Sequence, residues 1–221
     1  MILAVQPRMQ PDAQRDLLRR CAEGERAAQT QLFRAEVRRV HGLLYRVLGP
    51  NGAVEDLIQE TFIRVFRALP GFRGESQLST WIGGIALNVA YGHLRSTPPA
   101  TVRLELVPDV RDDGPDAEQR LEARHGLRRV YQILDRMDPR LRIAFTLHVI
   151  DGRTMREIAD LTSASLVATK TRVWRARREL AKRAQRDPFL LTFMEQAALG
   201  EPDDDVAQVE VEVEADEGDA S

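Results

Sequence analysis

One cysteine, Cys21, occurs in 221 residues, so the sequence excludes an internal disulfide and a cysteine-based zinc site. The four histidines show no metal-ligand spacing. No apolar run approaches the about 18 residues of a membrane-spanning helix, and residues 1–10 lack a signal-peptide pattern. Strand signals are nearly absent, because Val and Ile mostly recur at helical spacing. We therefore predict an all-α, cytoplasmic protein that needs no metal, no cofactor and no membrane.

A catalytic constellation is also missing. No Gly-rich loop follows a strand pattern, and no serine or cysteine stands beside a histidine in a recognisable elbow. The acidic residues fall on amphipathic helices or in the C-terminal segment. This pattern predicts a binding protein rather than an enzyme, with no small-molecule substrate.

Charge is distributed unevenly, although the net charge is only −2. Residues 200–221 contain no Lys or Arg, so all 32 basic residues of the chain precede them. A basic body with an acidic tail is typical of a protein that binds a polyanion. The tail cannot bury enough apolar surface to fold, so we predict that it is disordered.

Residues 54–69 carry the clearest helical signal. Apolar side chains recur there with the i, i+3, i+4, i+7 spacing of one buried stripe. Pro70 and Gly71 end this helix, and a polar loop, 72–77, follows. The stripe positions are 54, 57, 58, 61, 62, 65, 66 and 69.

A second helix, about 80–95, follows this loop, and either Ser79 or Thr80 is suited to cap it. Gly83 and Gly84 lie inside this helix, although each glycine costs a helix roughly 0.5–1 kcal/mol relative to alanine. Two explanations remain open for the glycine pair. Either another backbone approaches closely there, or the helix is locally loose.

The N-terminal part, 11–48, predicts a pair of helices that Gly24 separates. Cys21 is most simply a small buried apolar residue. The candidate core residues of this pair are Leu17, Leu18, Cys21, Ala28, Leu32, Phe33, Val37, Val40, Leu44, Tyr45 and Leu48.

The second half of the chain predicts a helix-turn-helix. Thr154 and Glu157 form an S/T-x-x-E capping box that opens a short helix. A polar turn, 162–164, separates this helix from a longer one at about 165–183. The long helix is strongly basic, with Glu179 as its one acid. The basic residues of this segment are Lys170, Arg172, Arg175, Arg177, Arg178, Lys182, Arg183 and Arg186.

Two stretches resemble a known family. The run DLIQETFIRVFRALPGFRGES, followed two residues later by STW, is similar to region 2 of bacterial sigma factors of the extracytoplasmic-function (ECF) type. The run GRTMREIADLTSASLVATKTRVWRARREL is similar to region 4 of the same family. The resemblance implies a region 2 helical bundle, an extended linker and a region 4 helix-turn-helix, followed by the disordered acidic tail. The boundaries that we predict for these four parts are 11–96, 97–114, 115–199 and 200–221.

The resemblance implies bacterial core RNA polymerase and promoter DNA as partners, with an anti-sigma factor as a further candidate. Residues of the 54–69 helix that match the polymerase-binding motif would dock on the polymerase, since carboxylates suit a basic partner surface. The matching residues are Asp56, Gln59, Glu60 and Thr61.

Recognition of the −10 promoter element is implied for the 72–80 loop and the helix after it. Phe72 and Trp81 offer faces on which a flipped-out base can stack, worth roughly 1–3 kcal/mol per base. Ser76 and Asn88 offer hydrogen bonds to the edges of that base. We expect Phe72 to be exposed because it lies in a polar loop, whereas Trp81 is equally suited to a place in the core.

Recognition of the −35 element is implied for the long basic helix. Four residues are candidates for base edges or adjacent phosphates, and four more for phosphates alone. The first set is Lys170, Thr171, Arg172 and Arg175, and the second is Arg177, Arg178, Lys182 and Arg183.

The chain departs from the family pattern in both regions. Gly83, Gly84 and Leu87 stand where related sequences offer a larger apolar residue, arginine, and a polar or basic residue. In region 4, Ser163 replaces the usual turn glycine. Ser165, Val167 and Ala168 replace the commoner proline, glycine and threonine, so an unusual −35 sequence is expected.

Three functions are therefore considered. The first is an alternative sigma factor that gives promoter recognition to core polymerase. The second is a sigma-like interaction protein that binds core or an anti-sigma factor but initiates poorly, which Gly83, Gly84 and Leu87 favour. The third is a helix-turn-helix regulator that binds DNA alone. The acidic tail is either a solubilising segment or a polyanion that competes with DNA for the helix at 165–186.

Overall fold

The computed structural model describes residues 11–49, 53–97, 126 and 128–184. Every regular element in these ranges is helical, as the all-α prediction requires. The predicted linker, apart from Thr97, and the predicted acidic tail lie outside the described residues. Within the same ranges, no helix combines the length and apolar character that crossing a membrane requires.

Two groups of helices follow one another along the chain. The first comprises α1 (Pro11–Ala22), α2 (Arg26–Leu48), α3 (Val54–Ala68), a 3₁₀ turn (Leu69–Gly71) and α4 (Leu78–Ser96). The second comprises α5, whose described helical residues are 126 and 128–134, then α6 (Pro139–Phe145), a π-helical turn (Thr146–Ile150), α7 (Met155–Thr162) and α8 (Leu166–Ala184).

The helical pair α1–α2 forms as predicted, with Gly24 at a φ of 86° in the turn between the helices. Cys21 is buried, and burial raises the pKa of its thiol. Two core candidates are instead exposed at the rim. Phe33 lies edge-on against Phe62 at 4.7 Å, and Tyr45 stacks with a neighbouring histidine one turn away.

The apolar stripe of α3 faces the core. Val54, Ile58, Phe62 and Val65 are all buried there, and the helix ends before Pro70 as expected. Burial of this stripe fixes which face of α3 remains available to a partner.

The predicted cap of α4 is wrong, although the helix starts within two residues of the expected position. The helix begins at Leu78, and Gln77 occupies the cap position without a side-chain hydrogen bond. Leu78 is buried in the core, which anchors the first turn earlier than the polar residues suggested. Ser79 and Thr80 consequently lie inside the helix and do not cap it.

The helix-turn-helix has the predicted local chemistry. The Glu157 amide donates to Thr154 Oγ1 at 3.3 Å, and the Thr154 amide donates to Glu157 Oε2 at 2.9 Å, which completes the capping box. Ser163 ends α7 in the left-handed conformation with φ 50°, a backbone geometry that glycine usually provides. Ser165 Oγ accepts from the Ala168 amide at 3.1 Å and caps α8.

The two helical groups pack against each other. Four apolar residues of the second group join the core of α1–α4, and α4 contacts both α6 and α7. A smaller core binds α5, α6 and α8 together. The four shared residues are Ile143, Leu147, Ile158 and Leu161.

Candidate protein and nucleic-acid interfaces

The polar face of α3 is the candidate protein-binding surface. Asp56 and Gln59 are exposed on it. Glu60 is half-buried and accepts from Arg64 Nε at 2.7 Å, one turn along the helix. A partner that binds this carboxylate must compete with an exposed i,i+4 ion pair, whose contribution is small.

Thr61 does not belong to this surface. Its side chain is fully buried, and Oγ1 donates to the Leu57 carbonyl at 2.6 Å. Position 61 falls within the apolar stripe, and the hydroxyl is accommodated there by bonding to its own helix. The prediction that Thr61 contacts a partner is therefore wrong for this structure.

Ile63 is a candidate interface residue that sequence reasoning missed. It is 46% exposed and lies one turn beyond Gln59 and Glu60. Position 63 does not belong to the apolar stripe, so Ile63 is an apolar side chain on the polar face of α3. This pattern could have identified it from the sequence. Such a residue suits the dry centre of a protein interface.

Phe72 and Trp81 form one aromatic unit. Their ring centroids lie 4.9 Å apart with an interplanar angle of 45°. Both are partly buried and pack against the core of α1–α4, so the prediction of an exposed Phe72 was wrong. Trp81 combines the two alternatives, since it packs against the core but is only partly buried.

The two polar residues predicted to contact the −10 element are both exposed. Ser76 is exposed in the loop before α4, and Asn88 is exposed on α4 itself. Asn88 lies two turns after Trp81, about 10 Å along the helix and on the same side. The structure therefore presents an aromatic face and an amide along one edge of α4.

The solvent exposure of the predicted DNA-binding residues differs along α8. Lys170, Thr171 and Arg172 are half-buried near the start of the helix, and Arg175 is exposed. Thr171 Oγ1 donates to the Val167 carbonyl at 2.9 Å, so its hydroxyl is already engaged.

The later arginines of α8 are partly held in place. The Arg178 guanidinium lies 5.1 Å from the centre of the Trp174 ring. Arg183 pairs with Glu179 at 2.7 Å and reaches the Ile133 carbonyl at 3.4 Å. Of the remaining predicted phosphate-binding residues, Arg177 is half-buried and Lys182 is exposed.

Leu166 and Val167 are exposed apolar residues in the first turn of α8, at 37% and 64%. The second helix of a helix-turn-helix places its N-terminal residues against base edges. An apolar side chain there suits the methyl group of thymine. The sequence signal for Val167 was its replacement of a small residue in the family pattern.

The glycine pair of α4 is explained by close approach. A Cβ on Gly83 would lie 2.9 Å from Leu161 Cδ2, and one on Gly84 would lie 3.2 Å from the Leu161 carbonyl oxygen. Leu87, one turn later, is buried in the core. These three residues therefore serve packing, which decides between the two explanations that the sequence left open.

A cavity of about 230 Å³ lies between α2, α4 and α7. Glu36 and Arg39 line it from α2, and Arg153 and Glu157 line it from the second helical group. Burial raises the pKa of Glu36 above its ordinary value. Its Oε2 atom has no hydrogen-bond donor and lies 3.7 Å from Arg39 Nη1.

Comparison with protein families finds two matches. The family described as "Sigma-70 region 2" matches residues 32–97, and the family described as "Sigma-70, region 4" matches residues 127–180. Region 2 therefore spans most of α2–α4, and region 4 spans α5–α8 to within a few residues of its end.

Relatives of known function are similar over most of their length. The chain is 30% identical over 178 residues to the ECF RNA polymerase sigma-E factor of Escherichia coli, covering 76% of this chain and 93% of the relative. It is 29% identical to the RNA polymerase sigma-H factor of Pseudomonas aeruginosa, covering 76% and 92%. Among solved structures, CnrH in complex with the cytosolic domain of CnrY matches with a TM-score of 0.53 and 25% identity, covering 78% and 97%.

Proposed function

The chain belongs to the sigma-70 family as an ECF-type factor, and we propose the residues with which it recognises polymerase and promoter. It is an alternative sigma factor that binds core RNA polymerase and promoter DNA and directs promoter-specific initiation of transcription. The family is not a family of enzymes, since the polymerase performs the chemistry. A place in the cytoplasm, with polymerase and chromosome, is part of the proposal.

One observation carries the proposal at residue level. A single chain joins an acidic, partly apolar helix face on α3, an aromatic unit beside α4 and a basic helix-turn-helix. These three surfaces have different chemistry, and each suits a different partner group. We propose that they bind polymerase, the −10 element and the −35 element respectively.

The proposed polymerase surface comprises Asp56, Gln59, Glu60 and Ile63. Carboxylates at its rim steer a basic partner surface towards it, and Ile63 supplies apolar area at its centre. Thr61 is left out because it is buried.

At the −10 element, we propose that an unstacked base packs on the accessible part of the Trp81 ring. The centroid of the Phe72 ring lies 4.9 Å from that of Trp81, and this contact restricts the orientation of the Trp81 ring. Asn88 and Ser76 then donate to or accept from the edges of exposed bases. Stacking supplies sequence-tolerant affinity, whereas the amide supplies selectivity.

At the −35 element, we propose that α8 enters the major groove by its first turns. Lys170, Arg172 and Arg175 reach base edges or adjacent phosphates, while Thr171 lies between them. Bidentate arginine–guanine contacts discriminate by roughly 1–3 kcal/mol. The later residues, Arg177, Arg178, Lys182 and Arg183, position the helix on phosphates.

The two competing functions lose their support. Gly83, Gly84 and Leu87 favoured an interaction protein with weak initiation, but the packing of α4 now accounts for all three. The region 2 match over residues 32–97 does not suit a regulator that binds DNA alone. Because CnrH was solved with a protein partner, we propose that an anti-sigma factor also controls this chain.

Run-off transcription with purified bacterial core polymerase tests the proposal. The template is the upstream region of the gene for this protein, with other promoters next. Asp56→Arg/Gln59→Arg should abolish the specific transcript but leave binding of region 4 to duplex DNA intact. The control is Asp12→Arg, which changes an exposed acid on α1. A specific transcript of unchanged strength from the double variant contradicts the proposed polymerase surface.

A further inference from the structure

The outer face of α2 carries an exposed line of side chains that the proposed function does not use. Arg34, Arg38, His41 and Tyr45 recur at i, i+4, i+7 and i+11, and all four are exposed. This spacing places them on one side of the helix. These four residues form the α2 basic line, which is about 16 Å long at a rise of about 1.5 Å per residue.

The α2 basic line faces away from α4. Val40 and Leu43 lie on the other side of α2, where they are buried and line the cavity towards the start of α4. Helical spacing therefore places the line and α4 on opposite sides of α2. It follows that the line is a different surface from the Phe72–Trp81 pair.

The charge of this line differs from that of an ordinary solvated helix face. The arginines of α1 pair with nearby carboxylates. On α2 the single acid, Glu36, lies on the cavity side and pairs with Arg39. Among the described residues, no carboxylate forms an ion pair with Arg34 or Arg38. Two neighbouring guanidinium groups without a counter-charge favour an anionic partner.

His41 and Tyr45 add an aromatic unit to the line. Their rings are nearly parallel, with an interplanar angle of 10° and centroids 6.0 Å apart, and Tyr45 is 40% exposed. Exposed rings beside positive charge suit a single nucleic-acid strand, because its unpaired bases can stack on them. A duplex hides the faces of its bases within its own stack. The line also has no aliphatic side chain to fill the dry centre of a protein interface.

We propose that the α2 basic line binds single-stranded DNA. Arg34 and Arg38 contact phosphates, and one base stacks on the Tyr45 ring. At about 3.4 Å per nucleotide, a line of about 16 Å accommodates about five nucleotides. The binding rests on the α2 residues alone, whereas its role in transcription rests on the proposed function. There, the line holds an unpaired strand of the melted promoter outside the −10 contacts and prolongs the open complex.

Fluorescence anisotropy of the full chain with labelled oligothymidine of about 12 nucleotides tests the phosphate contacts. Each contact with a single strand contributes about 0.7 to the slope of log affinity against log salt, so Arg34→Gln/Arg38→Gln should reduce that slope by about 1.4. Helix α8 contributes the same background to every variant. The matched control, Arg15→Gln/Arg26→Gln, removes two other exposed arginines and should keep the slope. An unchanged slope in folded Arg34→Gln/Arg38→Gln overturns the proposal.

Tyr45→Ala tests the stacking. It should weaken binding of the single strand about fivefold or more, because one stacked base is lost. It should leave the affinity for a duplex of the same length unchanged. Tyr45→Phe keeps the ring and should bind the single strand as the unsubstituted chain does. Equal losses on single strand and duplex would contradict base stacking, and circular dichroism checks that each variant is folded.

Transcription separates the strand contact from the proposed function. With core polymerase on a promoter, Arg34→Gln/Arg38→Gln should shorten the lifetime of open complexes about threefold or more, and Arg15→Gln/Arg26→Gln should not. An unchanged lifetime contradicts the role of the line in the open complex. Loss of polymerase binding with normal single-strand binding assigns the line to a protein partner and overturns the proposal. Weaker strand binding without transcription from any version leaves the line standing and contradicts the proposed function.

Discussion

The Tyr131 hydroxyl donates a 2.5 Å hydrogen bond to the Arg46 carbonyl, across 85 residues of sequence and from one sigma region to the other. Burial raises the pKa of Tyr131 to about 12 from its ordinary 10.0. The neutral phenol is the form that can donate, so this hydrogen bond between the two regions depends on pH.

Alkali should weaken the protein through Tyr131. A group whose pKa is higher in the folded state contributes stability that is complete below pH 10 and is lost as the pH rises towards 12. Two units correspond to at most about 3 kcal/mol. Urea unfolding between pH 9 and pH 11.5 should therefore show a steeper loss of unfolding free energy in the unsubstituted chain than in Tyr131→Phe. Parallel losses in the two proteins would contradict this role.

Arg142→Ala should lower the unfolding free energy by about 3–5 kcal/mol, the usual cost of removing one partner of a buried ion pair. It leaves Asp135 and two carbonyls of α2 without their donor. Arg136→Ala, at an exposed position of the same segment, should change stability by less than about 0.5 kcal/mol. Urea denaturation followed by circular dichroism measures both, and equal effects would show that Arg142 is not essential to the interface.

Thr154→Ala should cost about 1 kcal/mol by removing the cap of α7. Thr154→Ser keeps the hydroxyl and should remain close to the original stability. The hydrogen bonds from Thr154 also hold the pKa of Glu157 below its ordinary value. Stability from this carboxylate is present above its unfolded pKa and is lost as the pH falls through its lower folded pKa. Thr154→Ala should reduce that acid sensitivity but not abolish it, because alanine keeps the backbone amide that also donates to the carboxylate. Thermal unfolding at pH 7 and pH 3 checks both statements.

Val167 should contact a thymine methyl group in the −35 element. Replacing each thymine there by deoxyuridine removes only the methyl, which is worth about 0.8 kcal/mol when buried and hence roughly a fourfold change in affinity. Val167→Ala should bind the two duplexes equally. Fluorescence anisotropy at fixed salt gives both affinities, with Val149→Ala in the partly buried interior of region 4 as the control that keeps the thymine preference. A preference that survives Val167→Ala would assign the methyl contact elsewhere.

Deletion of the acidic tail should strengthen promoter binding at low salt if the tail competes with DNA for α8. A version ending at Leu199 removes a segment without one basic residue. The gain should shrink as salt is raised, because screening weakens a tethered polyanion. A version whose tail acids are changed to Gln and Asn tests charge separately from length. Equal affinities of full and shortened chains at low salt would leave the tail as a solubilising segment.

Local structure could be predicted from the sequence where the residues of a single segment determine it. The capping box at Thr154 and Glu157 needs only four residues, and the apolar stripe of α3 needs only a helical period. The expectation of an exposed Phe72 was wrong because its polar neighbours in the sequence do not reveal that its ring packs against Trp81 and the core. The prediction that Thr61 contacts a partner was wrong for a different reason. It followed the resemblance to the family motif, although position 61 also belongs to the buried stripe of α3.

Contacts between segments that are distant in the sequence could not be predicted in this way. Nothing near Arg142 in the sequence points to the carbonyls of α2, almost a hundred residues earlier. The glycine pair did signal a close approach, but Leu161 as the neighbour depends on how region 4 folds back on α4. Only the three-dimensional packing supplies that partner.

The effect of a substitution at one of the closely packed glycines depends on the residue that it contacts. A larger residue at Gly49 would meet the Tyr131 ring, and one at Gly83 or Gly84 would meet Leu161. A smaller residue at Leu161 would relieve the contact at Gly83, which involves the side chain, but not the contact at Gly84, which involves the backbone oxygen. Substitutions at these positions should therefore be epistatic, each tolerated or harmful according to the other. The fit between the two helical groups can therefore change through paired substitutions, such as a larger residue at Gly83 with a smaller one at Leu161.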